Sequence, residues 1–531
     1  MDLQRNILIF SFLLCSFLLW QTWKIEFNST LPVTQVKKNK DKLSISIIKD
    51  KKNIFIKTDT MFLRINRNGG DIEQASLFAY KDRLHSLQSF RLLDTKPDFF
   101  YQAQSGLTGK DGPDNPRYGM RPVYISAKSY FQLYKNQREL RVPMIWIGKN
   151  GVFYTKTFLF TSGSYDIKVQ YDIKNNTDNI LEYSMFGQLK QSINLPKNRD
   201  IYSKHFALQS FRGAAYSTEH SKFNKYKFNN IIDNRNLYIK TKNGWIAMLQ
   251  QYFVSAWIPK SKGINTIYTA HLGHDTAAIG YKSDVIYVMP NKSYKINAKL
   301  WIGPEIQEKM MVLSPHLDLT VDYGFLWFLS QPLFKFLKLL YNFVGNWGVA
   351  IILITLIMRG ILYPLTKVQY TSMAKMRALQ PKIDDIKNKF SKDKNILSQE
   401  MIKLYKREKV NPFGGCLPLL IQMPIFLALY YMLMGSIELR HAPFCLWIHD
   451  LSNQDPYYIL PIIMGLTMFY IQKISPNTVS DPVQQKILNF VPILFSIFFL
   501  WFPSGLVLYY IVSNVITILQ QKIIYYRLEK K

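Results

Sequence analysis

Residues 339–365 read LLYNFVGNWGVAIILITLIMRGILYPL, a stretch whose one charge is Arg359. Its first 20 residues, Leu339 to Met358, are charge-free, and about 18 or more such residues can cross a bilayer core of about 30 Å as a helix. Working outward, Ile7 to Trp23 is a charge-free run of 17 residues, Val410 to Ile437 of 28, Pro456 to Gln472 of 17 and Ile487 to Gln521 of 35. A helix as long as the last would reach about 50 Å at about 1.5 Å per residue. Pro503, Ser504 and Gly505 near its middle supply a turn, so it reads as two spans. The expectation is therefore six spans. The first follows Arg5 like a secretory signal, but no small-residue cleavage site follows it and Leu14 before Cys15 does not suit lipoprotein processing, so it reads as an uncleaved anchor.

Composition agrees with a chain that meets lipid. Of 531 residues, 48% are hydrophobic, 15% aromatic and only 19% charged. The 67 Lys and Arg against 36 Asp and Glu give +31, which points to an anionic partner such as lipid or nucleic acid, although abundant Lys, Asn and Ile attribute part of the excess to compositional drift. Cys15, Cys416 and Cys445 form no C-x-x-C pair, so neither a disulfide framework nor a thiolate zinc site is supported.

Short cytoplasmic loops collect Lys and Arg. Between residues 366 and 409 there are twelve of them against five acids, a net +7, so this loop is expected inside. Residues 438–455 hold only Arg440 against Glu438, Asp450 and Asp455 and are expected outside, and Lys522, Arg527, Lys530 and Lys531 place the carboxyl terminus inside. With six spans the amino terminus is also cytoplasmic and residues about 25–338 are external. Long external segments are exempt from the charge rule. The organisation that follows is an anchor at 1–25, a linker at 26–52, a β domain at 53–318, an interfacial amphipathic helix at 319–341 and spans at 342–366, 411–437, 456–473, 487–502 and 505–524. A cytoplasmic hairpin at 367–410, an outer loop at 438–455, an inner loop at 474–486 and a short inner tail at 525–531 complete it.

The external segment alternates apolar and polar residues with period two, as in Ile54 to Lys57, Phe62 to Asn66 before Gly69-Gly70, Tyr165 to Ile173 and Tyr294 to Trp301. Many short strands between Asn, Gly and Pro turns predict an antiparallel sandwich. It contains no recognisable catalytic set. His271 and His274 precede Asp275 in strand-like sequence, without the helical register of a zinc-binding H-E-x-x-H site. An acid/base pair acting on sugars remains an alternative, which would make the chain a membrane-tethered carbohydrate-binding or carbohydrate-processing protein. At the far end of the segment, Phe325, Trp327, Phe328, Leu333, Phe334 and Leu337 oppose Lys335 and Lys338, predicting a helix on the membrane surface kinked at Pro332.

In the cytoplasmic loop, Ile383, Ile386 and Phe390 form one helical stripe after Pro381, residues 391–395 interrupt it, and Leu397, Met401, Leu404 and Tyr405 form a second. An antiparallel helical hairpin is expected, its basic surface suited to ribosomal RNA or lipid headgroups. The competing reading is a solvated loop that only fixes topology.

Arg359 is the informative residue. It lies eight residues before Lys367, about 12 Å inside the membrane boundary in a regular helix. A charge there costs roughly 2.5 to 3.5 kcal/mol unless it faces a bundle interior or a watery cavity, or snorkels back to the headgroups. Thr355 is one turn earlier on the same face, Gln422 interrupts the next span, and Ser513, Asn514 and Thr517 interrupt the last, while the five spans after residue 338 hold no acid to neutralise it. An unpaired cation among hydrogen-bonding groups describes a hydrated cavity open to something negative.

The runs Met358-Arg-Gly-Ile-Leu-Tyr-Pro-Leu-Thr-Lys, Asn411-Pro-Phe-Gly-Gly-Cys-Leu-Pro-Leu-Leu-Ile-Gln-Met-Pro-Ile-Phe, Leu446-Trp-Ile-His-Asp-Leu, Asp455-Pro-Tyr-Tyr-Ile-Leu-Pro and Phe502-Pro-Ser-Gly-Leu-Val-Leu-Tyr-Tyr resemble the YidC/Oxa1/Alb3 family of membrane protein insertases. The resemblance is specific over about 342–527. It implies a polytopic α-helical membrane protein of six transmembrane helices, with a five-helix insertase core and a large periplasmic all-β supersandwich domain that is largely dispensable. It implies multi-pass residence in the bacterial inner membrane and a substrate groove at Arg359, Thr355, Gln422, Tyr510 and Asn514. Of these, Arg359 matches the groove arginine, and Thr355 and Tyr510 match positions that touch the inserting segment. Nascent membrane proteins, the Sec translocon, the ribosome and the lipid bilayer are the implied partners, with no DNA, no cofactor and no enzymatic chemistry. Only four residues follow Arg527, so the longer basic tail that holds ribosomes in some relatives is missing. A secondary transporter is the remaining alternative, but such proteins show internal repeats and broken helices about a midplane site.

Overall fold

The computed structural model describes residues 51–148, 150–196, 211–261, 263–273, 275–390, 394–408, 417–474 and 482–529. The expected anchor at 1–25, nearly all of the linker and His274 lie outside them. The chain divides near Asp322 into a β unit and a helical unit.

The β unit contains an eleven-stranded and an eight-stranded sheet, antiparallel except where Asn53–Lys57 runs parallel to Tyr130–Gln132. Two short helices, α1 (Phe228–Ile232) and α2 (Gln307–Leu313), interrupt or follow the strands. Trp245, Trp257, Trp301, Tyr101, Tyr154 and Tyr171 are fully buried and dominate the core. Period-two alternation decides what enters it. In Phe153–Thr161 the inward residues are Tyr154, Lys156, Phe158 and Phe160, so a lysine is carried into the apolar interior.

Lys156 is completely buried, and its Nζ donates to the carbonyls of Gly69 (2.9 Å), Gly70 (2.8 Å) and Ser105 (3.2 Å). Gly69 and Gly70 adopt φ of 74° and 63°, a left-handed pair that other residues adopt only with strain. A Cβ on Gly70 would crowd Met144 and Lys156 itself. Beside the ammonium, Arg121 bridges Asp71 and Asp114. Burial pulls the Lys156 ammonium down from 10.5 to about 7, opposed chiefly by Asp71, and burial raises the Asp114 carboxyl, opposed by Arg121.

The helical unit starts later than the periodicity implied. A short 3₁₀ turn at Gly324–Leu326 precedes α3 (Trp327–Val344), which is assigned as helix without interruption through Pro332. Ser330, Phe334 and Leu337 are its buried face, and Ser330 Oγ donates to the Ala428 carbonyl at 2.9 Å. Phe325, Trp327, Phe328, Leu339 and Phe343 stay exposed, an apolar face of the kind that lies in a membrane surface. Gly345, in the left-handed region, ends α3 by donating its N–H to the Tyr341 carbonyl.

Next come α4 (Trp347–Ile361), α5 (Tyr363–Ala378), α6 (Gln380–Lys389) and α7 (Lys394–Arg407). They are followed by α8 (Leu417–Gly435), α9 (Ile459–Ile474), α10 (Pro482–Phe498) and α11 (Ser504–Glu529). Among the described residues, α11 alone is long and apolar enough to cross a membrane by itself, over Ser504–Leu528. The expected single span at 342–366 is instead α4 and α5 bent by 61°. Pro364 has no N–H for the Gly360 carbonyl, so the ladder cannot run through. Gln422–Gly435, Ile459–Ile474 and Asn489–Trp501 are shorter apolar helices.

Leu379, Ile383 and Leu404 form a small core between α6 and α7, flanked by Met376, Ile386, Met401 and Tyr405. Phe390 and Leu397 are only half-buried and lie outside that core. Between α8 and α9 the acids act as caps. Asp450 accepts from the His441 and Ser452 amides, the Ser452 hydroxyl and Asn453 Nδ2, and Asp455 accepts from Trp447 Nε1 and the Tyr457 and Leu460 amides.

This loop is tied to the start of α4. Asn346 caps α4 through Val349 N and donates its own amide to the Phe444 carbonyl at 3.0 Å. Gly348 lies against Phe444, where any Cβ would overlap the ring. Gly348→Leu should cost about 1 to 3 kcal/mol by overpacking, read as a lower melting temperature in detergent. Adding Phe444→Ala should recover part of the loss; equal melting of Gly348→Leu and the native chain would refute this packing.

Candidate functional site

The last residues of α4 face α8 and α11. α4 and α11 run in the same direction, since Ile351 lies beside Gly505 at their starts and the Arg359 carbonyl meets Gln520 toward their ends. Arg359 is half-buried between them. Its Nε donates to Ser513 Oγ at 2.8 Å, Nη2 donates to the same hydroxyl, and Nη1 donates to Gln422 Oε1 at 3.3 Å. Three helices thus meet at one guanidinium. Among the described residues no carboxylate pairs with it, and these contacts occupy three of its five N–H groups.

The direction of the side chain follows from helix geometry. Side chains in a helix tilt toward its amino terminus, and the backbone of Arg359 is level with Gln520 while its guanidinium is level with Ser513, seven residues nearer the start of α11. The Gln520 side chain tilts the same way and covers part of that offset, and the arginine side chain covers the rest. The charge therefore reaches toward the end where Asn346 meets the 436–458 loop, away from the α6–α7 hairpin. A snorkelling arginine on this helix would point the other way.

The remaining candidates fall in different surroundings. Gln422 joins Arg359 directly. Tyr510 lies one turn before Ser513 and packs edge-on against Phe426 and Phe499, each with ring centroids 4.9 Å away, so an aromatic wall adjoins the charged group. Thr355 is fully buried and its hydroxyl donates to its own helix at the Ile351 carbonyl (2.6 Å). Asn514 faces α9, donating to Thr467 Oγ1 at 3.0 Å. The polar side chains of α11 are set one turn apart: Ser513, Thr517, Gln520 and Gln521 are all buried. Ser513 is read from the sequence among the polar company of Arg359 but not as a groove residue, and Gln520 is not read at all; the i, i+4, i+7 spacing of Ser513, Thr517 and Gln520 is the signal that could have found it.

Two family descriptions cover nearly all the described chain. "60Kd inner membrane protein" matches residues 339–531 and "YidC periplasmic domain" matches residues 53–336. A membrane protein insertase YidC from Buchnera aphidicola subsp. Acyrthosiphon pisum (strain 5A) is 61% identical over 536 residues, covering 100% of both chains. Among solved structures, a crystal structure of an active YidC insertase with its first transmembrane domain resolved covers 99% of this chain and 100% of its own, at 19% identity and a TM-score of 0.39. A galactose mutarotase related enzyme from Lactobacillus acidophilus covers 47% of this chain and 97% of its own, at 8% identity and a TM-score of 0.33.

Proposed function

The chain belongs to the YidC family of membrane protein insertases, and from that premise we propose how its residues perform insertion. It is an inner-membrane insertase with an all-β periplasmic domain, acting on nascent membrane proteins in the lipid bilayer. The finer reading is a six-span chain with both termini cytoplasmic, residues about 25–338 periplasmic and the α6–α7 hairpin on the cytoplasmic side. In it α4 and the first turn of α5 form the second span, within 342–366, and the domain divisions follow the spans.

One observation carries the mechanism: a guanidinium without a carboxylate partner among the described residues, held by neutral Ser513 and Gln422 and reaching toward the outer end of α4. Neutral acceptors satisfy N–H groups without cancelling the charge, so the positive potential remains available in a medium of low dielectric. A client's short polar segment, often acidic, is drawn to Arg359 while its apolar helix slides along the wall of Phe426, Phe499 and Tyr510. The segment then crosses only part of the bilayer dry. Burial of the client's apolar residues in lipid drives completion. No bond is made or broken, and the cycle requires neither nucleotide nor metal. Thr355 and Asn514 serve this groove from behind, Thr355 in its floor and Asn514 by fixing α11 to α9. The Sec translocon is a working partner for larger clients, and the basic hairpin is the docking element for a ribosome.

Photo-crosslinking tests the groove. Reactive side chains at Gln422 and Tyr510 should capture a stalled nascent membrane protein, while one at exposed Leu466 on α9 should capture lipid. Stronger capture at Leu466 than at either groove position would overturn the reading. For topology, single cysteines near Lys389 and Asp450, in a chain lacking the native three, should react with an impermeant reagent in intact cells only at the second position. Labelling near Lys389 would reverse the orientation.

A further inference from the structure

The break between α4 and α5 creates a local difficulty that the groove charge depends on. The last four carbonyls of a helix lack intrahelical donors. Here the Met358 carbonyl receives Leu362 N at 3.0 Å, and Thr366 supplies both N and Oγ1 to the Leu362 carbonyl. The Arg359 carbonyl is served by a side chain from another helix: Gln520 Nε2 donates to it at 3.1 Å. Gln520 is 8% exposed, and its Oε1 is buried with no partner among the described residues. A buried orphan acceptor is costly, so the geometry at this position favours the donor half of the amide.

We propose that Gln520 is a positioning residue for insertion: its amide N–H binds the Arg359 carbonyl beside the α4–α5 bend and fixes the Arg359 backbone, so that the guanidinium reaches Ser513 and Gln422. The role rests on the reading of Arg359 as the groove charge. Ser513 and Gln520 are seven residues apart on α11, so one helix holds both ends of the arginine, its carbonyl and its guanidinium. A change at the lower point therefore rotates or translates the upper one. The same bond anchors the start of α5, and with it the direction in which the chain leaves toward the hairpin.

The test reads geometry separately from insertion. Nitroxide labels are placed at Val349 on α4 and Val368 on α5, both exposed, in the full chain in lipid nanodiscs with the native cysteines replaced. The native distance distribution should be narrow. Gln520→Leu removes the donor at similar volume and should shift or broaden it, with the bent population falling about tenfold relative to the relaxed one, as loss of one buried hydrogen bond implies. Gln520→His offers a ring N–H and should restore most of the native distribution. Insertion of a client with an acidic outer segment should follow the same order: native, then His, then Leu. Unchanged distances in Gln520→Leu, or equal distributions for His and Leu, would overturn the proposal even if insertion falls. Arg359→Ala carrying the same labels separates the two readings. If it keeps the native distances yet inserts normally, the groove reading fails, while the distances in the Gln520 variants still decide the clamp.

Discussion

Arg359→Ala should reduce insertion of clients with acidic outer segments by at least about tenfold, and Arg359→Glu should abolish it. Two charges about 4 Å apart at an effective dielectric of about 20 attract by about 4 kcal/mol; desolvation removes part of this, and the remainder still exceeds the 1.4 kcal/mol that equals a factor of ten. Arg359→Lys keeps the charge and should retain most activity, although a lysine cannot hold Ser513 and Gln422 with one planar fork. A snorkelling role makes the opposite forecast. Alanine would then be neutral or stabilising, because a costly membrane charge has been removed while the basic hairpin still fixes topology. The guanidinium at Ser513 stands against that role, because the helical tilt directs it inward. Neutralising the acids of the client should shrink the Ala defect. Equal insertion by the Arg, Ala and Glu forms at matched expression, for acidic clients, would show that the charge is incidental.

Lys156→Ala should be the most damaging single change in the β unit, costing about 3 to 5 kcal/mol, as expected when one member of a buried ionic group is removed. It leaves the carbonyls of Gly69, Gly70 and Ser105 without their shared donor, and Asp71 and Asp114 with Arg121 as their nearby cation. Lys156→Met fills the volume and should cost less. The urea midpoint of the β unit in the full chain, read by pulse proteolysis, gives both values, and a native-like midpoint for Lys156→Ala would refute the assignment. The pH dependence has a definite sign. The folded-state ammonium is lowered to about 7 by burial from 10.5, so between those values the unfolded chain binds more protons and stability rises with pH. The rise ends near pH 10, where buried tyrosines such as Tyr268 and Tyr183, pushed up to about 12 by burial, favour folding less as pH increases. Lys156→Met should lack the rise. A native profile falling from pH 7 to 10 would contradict the assigned burial.

Both predictions concern a charged side chain in an apolar setting, and the two were unequally legible. Arg359 declared itself because a charge interrupts a long apolar run whose period and composition are unmistakable in one dimension. Lys156 sits in an alternating strand where inward and outward differ by a single step of register, and only pairing with Met144 and Tyr171 across the sheet decides which side it faces.

The sequence by itself determined the β alternation, the helical hairpin, the apolar helices of the second half and the joining of Arg359 to a polar set, because each is a local pattern of spacing and charge. It also carried the motifs that mark the insertase family. Only the tertiary structure decided that the expected span at 342–366 is bent by 61°, since Pro364 forbids one hydrogen bond but the bend angle depends on what packs around it. Tertiary contacts likewise separated Gln422, which meets the guanidinium, from Thr355 and Asn514, which are turned onto Ile351 and Thr467. They also brought in Ser513 and Gln520 from 154 and 161 residues away. A hydrogen bond needs two atoms within about 3 Å, and no local periodicity specifies a distance between helices so remote in the chain.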